Sequence, residues 1–258
     1  MRVLVAGAGP AGLAFAAQSA AAGARVTVVE REQESTLPAW TASVQTRTLD
    51  ALGLGGLGAF HGHRGIRVGE RAWTVPGVAE RRVVGGGRLV GALRDRCTRA
   101  GVTFRWDTGF EDLPEGIERT VDLVVGADGA RSAVRARWAD TFAPLITHGS
   151  RHRLLVRVAG TLAPQALVGL RDTPVVAWAQ GDAAVVEVGD RAYQANLARR
   201  SPIELAGRVA LALDGLLDAP VVSATPMGRT ATVMCRQAGQ GNVLLVGDAA
   251  CATWDAEG

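Results

Sequence analysis

Gly7, Gly9 and Gly12 fall in G-x-G-x-x-G spacing, and their flanks make that spacing the strongest constraint in the chain. Arg2–Ala6 before them is an apolar run without polar alternation, as expected of a strand buried on both faces. The first glycine permits a tight turn, the second lets backbone approach a pyrophosphate, and the third lets a helix pack close to the strand. Pro10 suits the first turn of that helix, where a missing N–H is no loss. The predicted helix runs through an Ala-rich stretch to about Gly23, which can close it in a left-handed conformation. Its N-terminal dipole and free N–H groups favour an anion, so Gly7, Gly9, Ala11 and Gly12 are candidate phosphate-binding residues. A second strand, residues 25–30, ends on Glu30, 18 residues beyond Gly12, where a carboxylate can accept the ribose hydroxyls of an adenosine. Arg31 beside it is the kind of basic group an NADP site would favour, so this unit alone does not choose between dinucleotides. A secretory signal does not fit, because the stretch has no basic leader or cleavage site and runs into a charged strand end.

Two later motifs make the choice. Residues 121–125 form another buried-strand run, leading into Gly126-Ala127-Asp128-Gly129-Ala130-Arg131-Ser132, and residues 242–246 form a third, leading into Gly247-Asp248. Each acid falls just past a strand's carboxyl end, where open α/β sheets bind ligands. Asp248 is placed to accept a ribityl hydroxyl of FAD, and the N–H groups after it can meet the pyrophosphate or the flavin ring.

In this order the three motifs resemble the para-hydroxybenzoate hydroxylase-like family of FAD-dependent aromatic-ring hydroxylases, from residue 1 to the end of the chain. Residues 44–50, Val-Gln-Thr-Arg-Thr-Leu-Asp, resemble the family's x-x-Pro-Arg-Thr-Leu-Glu helix start. A helix is predicted over 88–100, with Leu89, Leu93, Cys97 and Ala100 on one face. The resemblance implies that Arg88 at its start reaches the flavin side of the cofactor. It also implies an α/β fold: a Rossmann-like FAD-binding domain from 1–140 and 225–258, with an inserted antiparallel-sheet substrate lobe at 141–224 that 61–87 can join. Asp128, Gly129, Gly247 and Asp248 complete the implied cofactor set. The implied activity is that of a monooxygenase: NAD(P)H is a transient reductant, and an aromatic or polyketide-like small molecule is hydroxylated or epoxidised, as in natural-product tailoring.

The chain departs from the family in two places. Ala39-Trp40 stands where members carry Gly-Arg, and Cys251 stands where the third motif has histidine, in a loop that also lacks the usual proline. The family continues beyond this loop, so exposed apolar surface, and with it a dimer or a C-terminal partner chain, is expected. These departures keep open a second reading, a flavin-fold protein without monooxygenase turnover (a cyclase-like catalyst, a binder or a partner subunit). A third reading, an NAD(P) dehydrogenase, leaves the Asp-Gly and Gly-Asp motifs without a task.

Composition removes other classes. All 28 basic residues are arginine, which excludes Schiff-base and phosphate-loop lysines. The excess over acids is only +3 and the arginines are scattered, so nucleic acid is not an expected partner. No apolar run outside the Rossmann segment approaches the length of a membrane span. Cys97, Cys235 and Cys251 are odd in number without C-x-x-C, and the four histidines, among them the pairs His61/His63 and His148/His152, lack metal spacing. No metal is expected, and a reducing cytoplasm is the default location.

In the middle of the chain, residues 153–158, 175–178 and 183–188 are strand-like, with Gln180-Gly181-Asp182 as a turn. A helix over 202–213 follows, with Ser201 as N-cap and Pro202 first. Trp73, Trp178 and Tyr193 are candidate pocket walls, more readily explained as core, and no general acid or base stands out.

Overall fold

The computed structural model describes the chain except residues 39, 62–63, 69–70, 76–79, 168–174, 214–216, 218 and 253–258. Its first sheet runs β13 (Gly239–Gln240), β14 (Val243–Leu245), β9 (Leu123–Gly126), β1 (Arg2–Ala6), β2 (Arg25–Val29) and β8 (Thr103–Arg105), parallel except at β13. Successive residues of β1 serve two cores. Val3 and Val5 pack with Leu13, Ala16 and Ala17 of α1 (Pro10–Ala21) and Leu89, Leu93 and Cys97 of α3 (Gly86–Arg99). Leu4 and Ala6 pack with Phe110, Val134 and Phe142, near the short helices α4 (Ala133–Arg137) and α5 (Ala139–Phe142). Cover on both faces is why this strand reads as an unbroken apolar run.

Helix α3 starts two residues before the expected Arg88. Gly86 donates its N–H to the Trp40 carbonyl at 2.6 Å, and a Cβ on Gly86 would lie 2.7 Å from the Trp40 ring. Gly86 is thus needed at the helix start for close approach to tryptophan. Trp40 packs against the core under α1 and α3. Its neighbour Ala39 lies outside the described residues.

A three-stranded sheet, β3 (Thr41–Gln45), β7 (Arg81–Gly85) and β4 (Ala59–His61), stands beside α2 (Thr46–Ala51). The large antiparallel sheet is built on β10 (Leu145–Leu167), which pairs with β11 (Val175–Gly189) and with β12 (Val221–Met234). The two-residue β15 (Cys251–Ala252) extends it beyond β12, and β5 (Arg64–Val68) and β6 (Arg71–Val75) extend it beyond β10. Gln180-Gly181-Asp182, expected as a turn, is continuous strand in β11. Gly181 pairs with Leu162, and Asp182 binds Arg157 at 2.9 Å, so the register of the long β10 overrides local turn propensity.

One face of this sheet is covered by α6 (Asp190–Asn196), which the sequence reading did not anticipate, and by α7 (Pro202–Ala212). Leu154, Val156, Val186 and Val188 are buried with Leu205 and Val209 of α7. Ser201 and Glu204 cap α7 reciprocally, as the sequence predicted for Ser201. The Rossmann-like α/β fold with an added antiparallel sheet is therefore the fold expected from the motifs. No helix among the described residues is long and apolar enough to cross a membrane.

Candidate cofactor site

The chain leaves β1 toward β2 on one side, while β9 lies on the other, so a crevice opens at the carboxyl ends of β1 and β9. The structure has a cleft of about 200 Å³ there, lined after β1 by Gly7 and Gly9, after β2 by Glu30 and Arg31, and after β9 by Asp128 and Gly129. Gly7, at φ 105°, turns the chain so that its N–H reaches the Val29 carbonyl at 2.8 Å, and a Cβ there would lie 2.9 Å from the Asp128 Cα. A Cβ on Gly9 would meet no atom within 4 Å, so the helix N-terminus presents bare backbone to the cleft. A Cβ on Gly12 would lie 3.0 Å from that of Ala127, which explains the third glycine as close packing. Glu30 is fixed by two backbone N–H donors, Ala8 at 2.6 Å and Glu32 at 3.0 Å, and Arg31 reaches the Asp128 carbonyl at 3.5 Å.

The two oxygens of Asp128 are unequal. Oδ2 accepts the N–H groups of Ala133 and Val134 at 2.7 and 3.1 Å, tying down the start of α4. Oδ1 is buried without a partner among the described residues, in a residue that lines the cleft. Ser132 caps α4 through the Arg135 N–H at 2.9 Å.

Arg135 was not singled out from sequence. It is 4% exposed and joins the second motif to the third: Nη1 donates to the Ala249 carbonyl at 2.8 Å and Nη2 to the Ala130 carbonyl at 2.5 Å. Its sequence signal was an arginine set among Ala133, Val134 and Ala136 on a buried helix. Thr108 and Glu111, which line the cleft beyond β8, carried no sequence signal.

Asp248 sits on the turn after β14 and is not part of that cleft. Gly247 before it has φ 59°, and a Cβ there would lie 2.7 Å from that of Ala11, so the third motif abuts the start of α1. Asp248 stays accessible to solvent, yet the protein around it thins its hydration and raises its carboxyl above the usual range. Arg88 is exposed in the first turn of α3, makes no polar contact among the described residues and is not part of the cleft. Cys251, next to the third motif, is exposed, whereas burial pushes Cys97 up to about 11. Tyr193 of α6 stacks on His152, Trp73 is exposed on β6, and the side chain of Trp178, with residues 253–258, lies outside those described. No cluster able to hold a metal occurs among the described residues.

A bare helix N-terminus, a fixed carboxylate at a ribose position and an orphaned acceptor fit a dinucleotide diphosphate. Residues 1–75 match the family model described as an FAD binding domain. The whole chain is similar in fold to p-nitrophenol 4-monooxygenase PnpA from Pseudomonas putida DLL-E4, with 19% identity, a TM-score of 0.76, and 98% of this chain and 73% of that chain covered. It is also similar to the tetrameric form of 2-methyl-3-hydroxypyridine-5-carboxylic acid oxygenase, with 18% identity, TM-score 0.70, and 97% and 76% covered. A third similar structure is a ternary complex of aklavinone-11 hydroxylase with FAD and aklavinone, with 21% identity, TM-score 0.70, and 98% and 57% covered. No curated protein matches the chain in sequence.

Proposed function

We propose that this chain, an FAD-binding domain carried on the fold of flavin-dependent aromatic-ring hydroxylases, is an FAD-dependent monooxygenase. Its substrate is an aromatic or polyketide-like small molecule, and NAD(P)H and O2 are its co-substrates. The observation that carries the reading is the convergence of the first two motifs on one strand-end crevice, with the buried Asp128 Oδ1 lacking a partner among the described residues and the third motif abutting Ala11 at the start of α1.

Gly7, Gly9, Ala11 and Gly12 bring the N-terminus of α1 to the pyrophosphate, and Glu30 accepts the adenosine ribose hydroxyls with Arg31 at its flank. Asp128 and Gly129 close the other wall. Asp248, on the turn beside Ala11, accepts a ribityl hydroxyl, and Arg88 serves the flavin side. Bound FAD supplies the electron transfer from NAD(P)H and the activation of O2. The chain supplies position and exclusion of water.

Asp248→Ala is expected to abolish flavin retention, read as bound flavin per protein after gel filtration. Unchanged flavin content would remove Asp248 from the site. NAD(P)H oxidation stimulated by an aromatic compound tests the activity itself. A second reading, flavin binding without turnover, draws on Cys251, which pairs with Met234 as strand where the hydroxylase pattern has a histidine loop. Bound flavin that NAD(P)H never reduces would select it.

A further inference from the structure

Helix α7 turns one side to the large sheet and leaves the other bare. Leu205 and Val209, with Leu213 just past the helix end, are spaced by four and buried in the core under the sheet. Ile203, Gly207 and Leu211 have the same spacing and stand roughly 160° around the helix from them, at ~100° per residue. A surface helix ordinarily turns polar residues to water. Here Ile203 is 87% and Leu211 80% exposed, the two most exposed large apolar side chains among the described residues. Ala206 and Ala210 border this stripe on one side, and Glu204 and Arg208 on the other.

Gly207 is the unexpected member. Glycine weakens a helix interior, and packing within the chain does not require it, since a Cβ there would meet no atom within 4 Å. It lies midway between Ile203 and Leu211, so the stripe has the same layout in both directions. A twofold axis beside Gly207 sets Ile203 level with Leu211 of an antiparallel second copy, and Leu211 level with its Ile203. The two glycines meet at the crossing, where the absent side chains let the helices approach closely. The same axis turns each flank toward its own counterpart. Glu204 then falls two residues from Arg208 of the second copy, roughly 3 Å along the helix at ~1.5 Å per residue. Oε2 of Glu204 accepts the Ser201 hydroxyl at 2.8 Å and N–H at 3.1 Å, which leaves Oε1 for that arginine. Arg208 is exposed and makes no hydrogen bond or ion pair among the described residues.

We propose that the outer face of α7 is a docking surface for a second copy of this chain, paired antiparallel in a twofold dimer. Ile203 and Leu211 make two equivalent apolar contacts on either side of the paired Gly207, and Glu204 and Arg208 make two equivalent ion pairs. Such a self-complementary contact closes at two copies. One helix face is small for a permanent dimer, so the association is weak, with a Kd on the order of 10–100 µM. It depends neither on FAD nor on the monooxygenase reading, because α7 packs on the antiparallel sheet and lines no part of the strand-end crevice.

Sedimentation equilibrium of the purified chain, from about 2 µM to about 500 µM, brackets that affinity. The average mass should climb from 26.8 kDa toward twice that value and no further. Gly207→Gln and Leu211→Gln should each weaken the dimer more than ~10-fold, by filling the crossing and by removing an apolar contact made twice. Both positions are exposed, so neither change should lower the melting temperature of dilute protein. Arg208→Glu and Glu204→Arg should each self-associate poorly and pair with one another when mixed, because the mixture restores opposite charges at both contacts. The proposal is overturned by a mass that stays at 26.8 kDa or grows past the dimer. It is equally overturned by a dimer that Gly207→Gln and Leu211→Gln leave unchanged, or by a mixture no more associated than its two components.

Discussion

Arg135 buries a positive charge against two carbonyls, and no carboxylate pairs with it among the described residues. Replacing it with leucine would orphan the Ala249 and Ala130 carbonyls, at about 1–3 kcal/mol each. Urea unfolding of Arg135→Leu is therefore expected to show a loss of roughly 2–6 kcal/mol, and an unchanged midpoint would mean the link is unimportant. The cysteines give a second residue-scale prediction. With burial holding Cys97 at about 11 and also raising Cys235, alkylation at mildly alkaline pH should label exposed Cys251 first and Cys97 only on unfolding. Early labelling of Cys97 would contradict the packing of α3 on α1. The strand-end turns of the three motifs were legible because a turn depends on local spacing. Arg135 was not, because its partner Ala249 is 114 residues away.

At the scale of elements, the sequence showed what was periodic and missed what other elements impose. α1, β1, β2 and α7 were readable from apolar runs, Pro10 and Ser201. The start of α3 depends on Trp40 and the continuity of β11 on pairing with β10, and neither contact is encoded locally. α6 has no amphipathic signature and is held through Asp190. His152, then Arg229, lowers that carboxyl from 3.8 to about 2. A depressed carboxyl contributes stability in full above its unfolded value and loses it as pH falls through the folded one. Asp190→Asn should thus melt below wild type at neutral pH, with the gap closing between about pH 4 and pH 2. A gap that persists at pH 2 would show that packing, rather than charge, holds α6.

For the whole molecule, the Rossmann-like sheet supplies a strand-end crevice, and the antiparallel sheet takes in β15 directly after the third motif. The class of fold was readable from three motifs alone, since each demands a parallel strand ending in a turn. The pairing of β10 with β11 and β12 was not, because only the register of strands distant in the chain fixes it. The crevice is expected to hold FAD. The direct measurement is the visible absorption spectrum of the protein after addition of FAD and removal of the excess by gel filtration, with a thermal melt of the same sample. Retained flavin bands and a raised melting temperature are predicted, because a ligand at a hundredfold its Kd adds about 2.7 kcal/mol to the folded state. A colourless protein whose melting temperature ignores FAD would mean that the crevice does not hold it.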